Sequence, residues 1–172
     1  EQQNKEPFSL GEIEETKLEA GMHIAVKCKA KDLCGLIPDV VTPKRDGYYY
    51  HHGIYIGNNR VVHFWGPKKW GAKVCNCSLD EFRRGSVDKK LYVATYTVEI
   101  LQLKETIDKA NEAAKEKREY DLWNNNCETF ATYIKTGKGS SSQATKARQN
   151  TICVILLVVL LAVILFHYIP KN

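Results

Sequence analysis

The sequence predicts a globular domain in which strands precede helices, followed by a C-terminal transmembrane helix. Three observations point there. Residues 151–169 contain no Asp, Glu, Lys or Arg, and Ile152 to Phe166 is an unbroken apolar run. Residues 48–64 and 91–100 are rich in aromatic and β-branched residues, the composition of strands. Residues 102–136 then place apolar side chains at helical spacing. The 172 residues are 44% apolar and 26% charged, with a formal net charge of +5. Without the tail the apolar fraction is about 38%, ordinary for a soluble domain. Such a chain is too apolar to be disordered and too long to depend on disulfide staples. It shows no solenoid-length repeat.

In chain order, residues 1–20 form a polar, acidic-rich N-terminal segment expected to be loosely ordered at its start. Gly21-Met22 opens an alternating run, His23-Ile24-Ala25-Val26, which reads as a strand. Residues 29–47, with Gly35, Pro38, Pro43 and Gly47, read as a long loop. Tyr48 to Ile56 is a strand, Gly57-Asn58-Asn59 a turn and Arg60 to Phe64 the returning strand of a hairpin. Residues 65–90 read as irregular, with a short helical turn at Leu79 to Arg83. Leu91 to Ile100 reads as a strand. Leu103, Ile107, Ala110 and Ala114 mark an amphipathic helix over 102–118. A second helix runs from about Asn126 to Thr136 and stops at Gly137. The globular domain thus occupies 21–137, a flexible basic linker 138–150, and a transmembrane tail anchor 151–169.

The tail's 19 residues would span roughly 29 Å as a helix, close to a hydrocarbon core of about 30 Å. Between Thr129 and Asn150 there are four basic residues (Lys135, Lys138, Lys146, Arg148) and no acidic ones. That flank should stay cytoplasmic and be drawn to anionic headgroups. The expectation is a single-pass, C-terminally anchored protein of the endoplasmic reticulum or another endomembrane, with its domain in the cytosol. The six cysteines would then be reduced. Cys28-x5-Cys34 and Cys75-x-Cys77 lack the paired spacing of a zinc site, so neither metal nor other cofactor is expected. No basic-aromatic motif supports nucleic-acid binding.

Two stretches carry chemistry. Cys127 follows three asparagines at the start of a helix, where unsatisfied N–H groups and the positive dipole end favour a thiolate. His51 and His63 lie on the two strands of the hairpin, where one imidazole can act as a base and the other can orient it. Each feature alone is more often inert: a buried cysteine, or strand histidines partly open to solvent.

The joint pattern is more specific. His51-His52-Gly53-Ile54-Tyr55-Ile56-Gly57, then His63, then Asn126-Cys127-Glu128 resembles the lecithin:retinol acyltransferase family, which includes the HRAS-like suppressor phospholipases and acyltransferases. Tyr120 to Cys127 and Ser78 to Phe82 look closer to the retinol-acyltransferase branch. The resemblance implies a permuted papain-like α+β fold with a small antiparallel sheet and packed helices. It implies Cys127 as nucleophile, His51 rather than His52 as base, His63 as the residue that orients it, and Tyr120 as an oxyanion donor. Trp123 reads as packing. The implied reaction takes an acyl chain from a glycerophospholipid through a cysteine thioester. The chain then passes to water, an amine or an alcohol such as retinol, without a cofactor. The partners are then a phospholipid membrane and the acyl acceptor. Three departures stand out: Thr129 in place of the family's usual His, a longer loop over 29–47, and Gly21-Met22 in place of Gly-Asp. The alternatives are a cysteine peptidase or isopeptidase of the same fold, and a non-catalytic membrane-bound interaction protein.

Overall fold

The alternating run that begins at His23 becomes an inner strand of a six-stranded antiparallel sheet. The computed structural model describes residues 7–29, 47–65, 73–116, 126–138 and Leu161. Its strands are β1 (Phe8–Ile13), β2 (His23–Lys29), β3 (Tyr48–Gly57), β4 (Arg60–Trp65), β5 (Lys73–Ser78) and β6 (Leu91–Tyr96). Their spatial order is β1-β6-β2-β3-β4-β5. Three helices accompany them, α1 (Leu79–Arg83), α2 (Leu103–Ala113) and α3 (Cys127–Thr136). The architecture is α+β.

The hairpin forms as its sequence predicts. Asn58 and Asn59 take the positive φ values, 50° and 58°, that a two-residue turn needs to match strand twist. The short helix also forms where predicted, over Leu79–Arg83. Ser78 and Glu81 cap each other's backbone N–H groups in a capping box. Helix α3 ends at Gly137, whose φ of 73° closes it in the left-handed region.

Two segments differ from expectation. Residues 8–13 are not loose: β1 pairs with β6 from Phe8↔Tyr96 to Ile13↔Leu91. Its sequence, FSLGEI, is a weak strand former alone. Phe8 is buried against the rings of His23, His52 and Tyr96, and that packing holds the strand in place. Residues 73–78 are not irregular but form the edge strand β5 on β4. Only Val74 of its KVCNCS is buried, so no alternating apolar signal announces it. Two elements are shorter than expected: β6 stops at Tyr96, and α2 stops at Ala113, followed by a turn.

The sheet carries a core on each face. Helices α2 and α3 bring Ala110, Ala113, Phe130, Ala131 and Ile134 against Ile54, Val62, Phe64 and Val74. On the other face Leu79 and Phe82 of α1 join Ile24, Val26, Val61 and Leu91. The period of two along β3 divides its residues accordingly. Ile54 and Ile56 pack with the helices, and Tyr49 and Tyr55 pack with the α1 side. The expected loop over 29–47 (apart from its ends), most of the linker, and the tail apart from Leu161 lie outside the described residues. Among the described residues no helix is long and apolar enough to cross a membrane.

Gly53 is the tightest point on the α1 face. A Cβ there would stand 2.7 Å from Val61 Cγ1, 3.0 Å from the Phe82 ring and 3.1 Å from His63 Cβ. Gly53→Ala should therefore destabilise the domain by about 1–3 kcal/mol through overpacking. Urea unfolding of both proteins measures it, and an unchanged midpoint would contradict the packing described.

Candidate active site

Hairpin register decides which histidines meet. Gly53 lies opposite His63, so His51, two residues earlier on β3, is the diagonal neighbour of His63 on the same face. Their rings bond directly, His51 Nε2 to His63 Nδ1 at 2.8 Å. Phe82 of α1 closes over the pair, with ring centroids 5.3 Å from His51 and 5.2 Å from His63. Val26 lies opposite His51 on β2. Sequence reading anticipated the imidazole pair. It did not anticipate Phe82, which comes from a different element.

The β3–β4 ladder ends at Gly53↔His63, leaving His51 and His52 beyond it. Cys127 stands at that end of the sheet as the first residue of α3. Asn126 caps the helix, its side-chain oxygen accepting from the backbone N–H of Glu128 at 3.0 Å and of Thr129 at 2.9 Å. The buried thiol takes backbone N–H donation from His52 and from Glu128. Helix α3 thus brings the sulfur against the β3 backbone one residue from His51. Among the described residues no hydrogen bond joins the Cys127 thiol to His51 or His63. The thiol packs in the helix-side core, whereas the His51 and His63 rings lie under Phe82 on the α1 face. Tyr120 and Trp123 lie outside the described residues.

Burial dominates the electrostatics. It holds His51 well below the usual imidazole range, and the neighbouring His63 charge adds to the effect. It lowers His63 to about 4, against the opposing pull of the Glu81 carboxylate and the Phe64 carbonyl. It pushes the Cys127 thiol up to about 12, although the His52 N–H stabilises the anion. The thiolate expected from the helix terminus is therefore not the resting form. Removing the sulfur from water costs more than two N–H groups return. The thiol, packed in the helix-side core, and the His51 and His63 imidazoles, under Phe82 on the α1 face, all rest neutral.

His52 faces the other way, into a second buried chain. Its Nδ1 bonds His23 Nε2 at 2.8 Å, and His23 Nδ1 bonds the Tyr96 hydroxyl at 2.7 Å. Burial lowers His52 to about 4, opposed by the Glu128 carboxylate, and lowers His23 as well. His23 and Tyr96 come from β2 and β6, so no local spacing in the sequence could link them to His52. Cys75 and Cys77 on β5 also reach the site, their sulfurs 3.5 Å and 3.0 Å from His63 Nε2. Their period-two spacing was the available signal, but it has meaning only once β5 is recognised as a strand. Among the described residues no group of His, Cys, Asp or Glu is arranged to hold a metal ion.

The profile of the lecithin retinol acyltransferase family matches residues 36–140. Lecithin retinol acyltransferase of Rattus norvegicus is 30% identical over 130 aligned residues, covering 60% of this chain and 55% of the rat protein. The chain thus spans about half the length of that relative.

The desolvated imidazoles, with His23, His52 and His63 buried and His51 half-buried, couple stability to pH. Their folded pKa values lie below the unfolded value near 6.5. Between about 4 and 6.5 the unfolded chain therefore binds more protons, and stability falls as pH falls. The denaturation midpoint should be highest above pH 6.5 and drop steadily toward pH 4, with His63→Gln flattening the slope. A midpoint independent of pH over that window would contradict the burial of these rings.

Proposed function

The chain belongs to the lecithin retinol acyltransferase family, and from that premise we propose that it is a thiol-dependent acyltransferase and phospholipase A with a permuted papain-like catalytic arrangement. The observation that carries this reading is the His51–His63 pair, bonded at 2.8 Å, with the Cys127 sulfur at the start of α3 taking the backbone N–H of His52, the residue next to His51. Because the thiol and imidazoles rest neutral, proton transfer accompanies attack rather than preceding it. His51 takes the Cys127 proton as the sulfur adds to an ester carbonyl of a glycerophospholipid. Backbone N–H groups at the start of α3, joined by the Tyr120 hydroxyl, stabilise the tetrahedral oxyanion. The C–O bond to the lyso-lipid then breaks, and His51 returns the proton to that alkoxide. The acyl thioester on Cys127 is cleaved by water, an amine or an alcohol such as retinol, with His51 now removing the acceptor's proton and regenerating the thiol.

Segment 151–169 is proposed as a tail anchor, with the domain on the cytosolic side, which would hold the thiol at the surface that supplies its substrate. Carbonate extraction should leave the chain in the membrane pellet, and truncation after Asn150 should release it. Extraction of the intact chain would refute the anchor.

Intact-mass measurement after incubation with phosphatidylcholine vesicles tests the chemistry. Wild-type protein should gain one acyl mass at Cys127, and Cys127→Ala none. His51→Gln should slow acylation by on order of 10²–10⁴-fold, the usual contribution of a positioned base. Offering water, an amine and retinol together identifies the acceptor. A wild-type chain that acquires no acyl group from any of several phospholipids would sink the proposal.

A further inference from the structure

The chemistry just described uses one nitrogen of His63 and leaves the other unexplained. Nδ1 is bonded to His51, and Nε2 faces β5, with Cys77 Sγ at 3.0 Å and Cys75 Sγ at 3.5 Å. His63 lies opposite Cys75 in the β4–β5 ladder, so Cys75 and Cys77 share its face of the sheet. The Cys77 sulfur also donates its own proton, to the Ser78 carbonyl at 3.3 Å. Burial pushes that thiol up to about 12, so it keeps the proton it donates. With the S–H directed at Ser78, what the sulfur offers His63 is a lone pair.

This direction propagates. A neutral imidazole carries one proton, and the partner of one nitrogen decides the state of the other. If His63 donates from Nε2 to Cys77, its Nδ1 is bare and must accept from His51 Nε2. His51 then carries its proton on Nε2, and its Nδ1 is the bare nitrogen able to receive the Cys127 proton. The opposite chain, in which Cys77 donates to His63, would place a proton on His51 Nδ1 and block that step. The Glu81 carboxylate reinforces the first direction. It is held by its bonds to Ser78, and its negative charge acts on His63 and on both sulfurs, favouring an N–H directed to that side.

We infer that Cys77 is a positioning residue whose sulfur accepts from His63 Nε2–H, fixes the tautomers of His63 and His51, and leaves His51 Nδ1 ready to act as base. The inference rests on the proposed role of His51, but the tautomer it specifies can be measured without any turnover.

The test uses the 172-residue chain labelled with ¹⁵N-histidine. Ring-nitrogen correlations at neutral pH should show protonated Nε2 and bare Nδ1 on both His63 and His51. In Cys77→Ala the His63 signals should shift to mixed tautomers. Acylation of Cys127 should slow roughly five- to thirty-fold, the effect of losing about one or two kcal/mol of hydrogen bonding. Cys77→Ser, whose hydroxyl can both accept from Nε2–H and donate to Ser78, should restore both readouts. A wild-type His63 protonated on Nδ1 overturns the inference, as does a Cys77→Ala protein that keeps the wild-type tautomer. Absence of acylation in the wild type would defeat the functional reading alone, because the wild-type ring-nitrogen signals still decide the tautomer.

Discussion

The 2.8 Å bond between His51 and His63 constrains much of the rest of the molecule. A diagonal pair on adjacent strands meets only if the register is held, and the Asn58-Asn59 turn together with the one-residue register shift between Tyr55 and Gly57 sets it. The rings are shielded from water only if something apolar covers them, and Phe82 does so from α1. Phe82 is in reach because the Ser78–Glu81 capping box starts α1 at the end of β5. Gly53 belongs to the same constraint, since a Cβ there would force Val61 aside and press on both Phe82 and His63. A turn, a cap and a glycine thus serve one contact.

Burial has a chemical consequence that a helix-terminus argument misses. Asn126 caps α3, and two N–H groups point at the sulfur, yet the thiol is still pushed up to about 12 because it lies in the apolar seam between helix and sheet. The imidazoles are pushed the other way for the same reason, neutral being the cheaper state in the dry interior. A resting neutral pair suits the proposed attack on a lipid ester, in which charge is created and dissipated within the site. It also makes the choice of tautomer matter, because a neutral histidine serves as a base from one nitrogen only.

The sheet also separates two histidine systems that are adjacent in sequence. His51 and His52 are consecutive, so the pleat sends them to opposite faces. One joins His63 and the β5 sulfurs, and the other joins His23 and Tyr96 beneath Phe8. Their backbones remain coupled, because the N–H of His52 contacts the Cys127 sulfur. The buried His52 chain therefore helps hold the β3 backbone against which the thiol rests.

Local signals in the sequence were enough to determine several elements. The hairpin followed from β-branched and aromatic runs around an Asn-Asn turn, α1 from its composition, and α3 from the asparagines before it and Gly137 after it. The pairing of His51 with His63 was legible because a hairpin relates residues that are close in sequence. Strands β1 and β5 were not legible, since FSLGEI and KVCNCS become strands only through the partners they pair with. The contacts that matter most around the histidines were hidden for the same reason. Cys77 on His63, Phe82 over both rings, and His23 and Tyr96 beyond His52 each join segments whose proximity the sheet order creates. The sequence by itself determined which residue types could do thiol chemistry and which strands would present the imidazole pair. Only the tertiary structure decided their protonation, because pKa values and tautomers depend on burial and on partners contributed by distant strands.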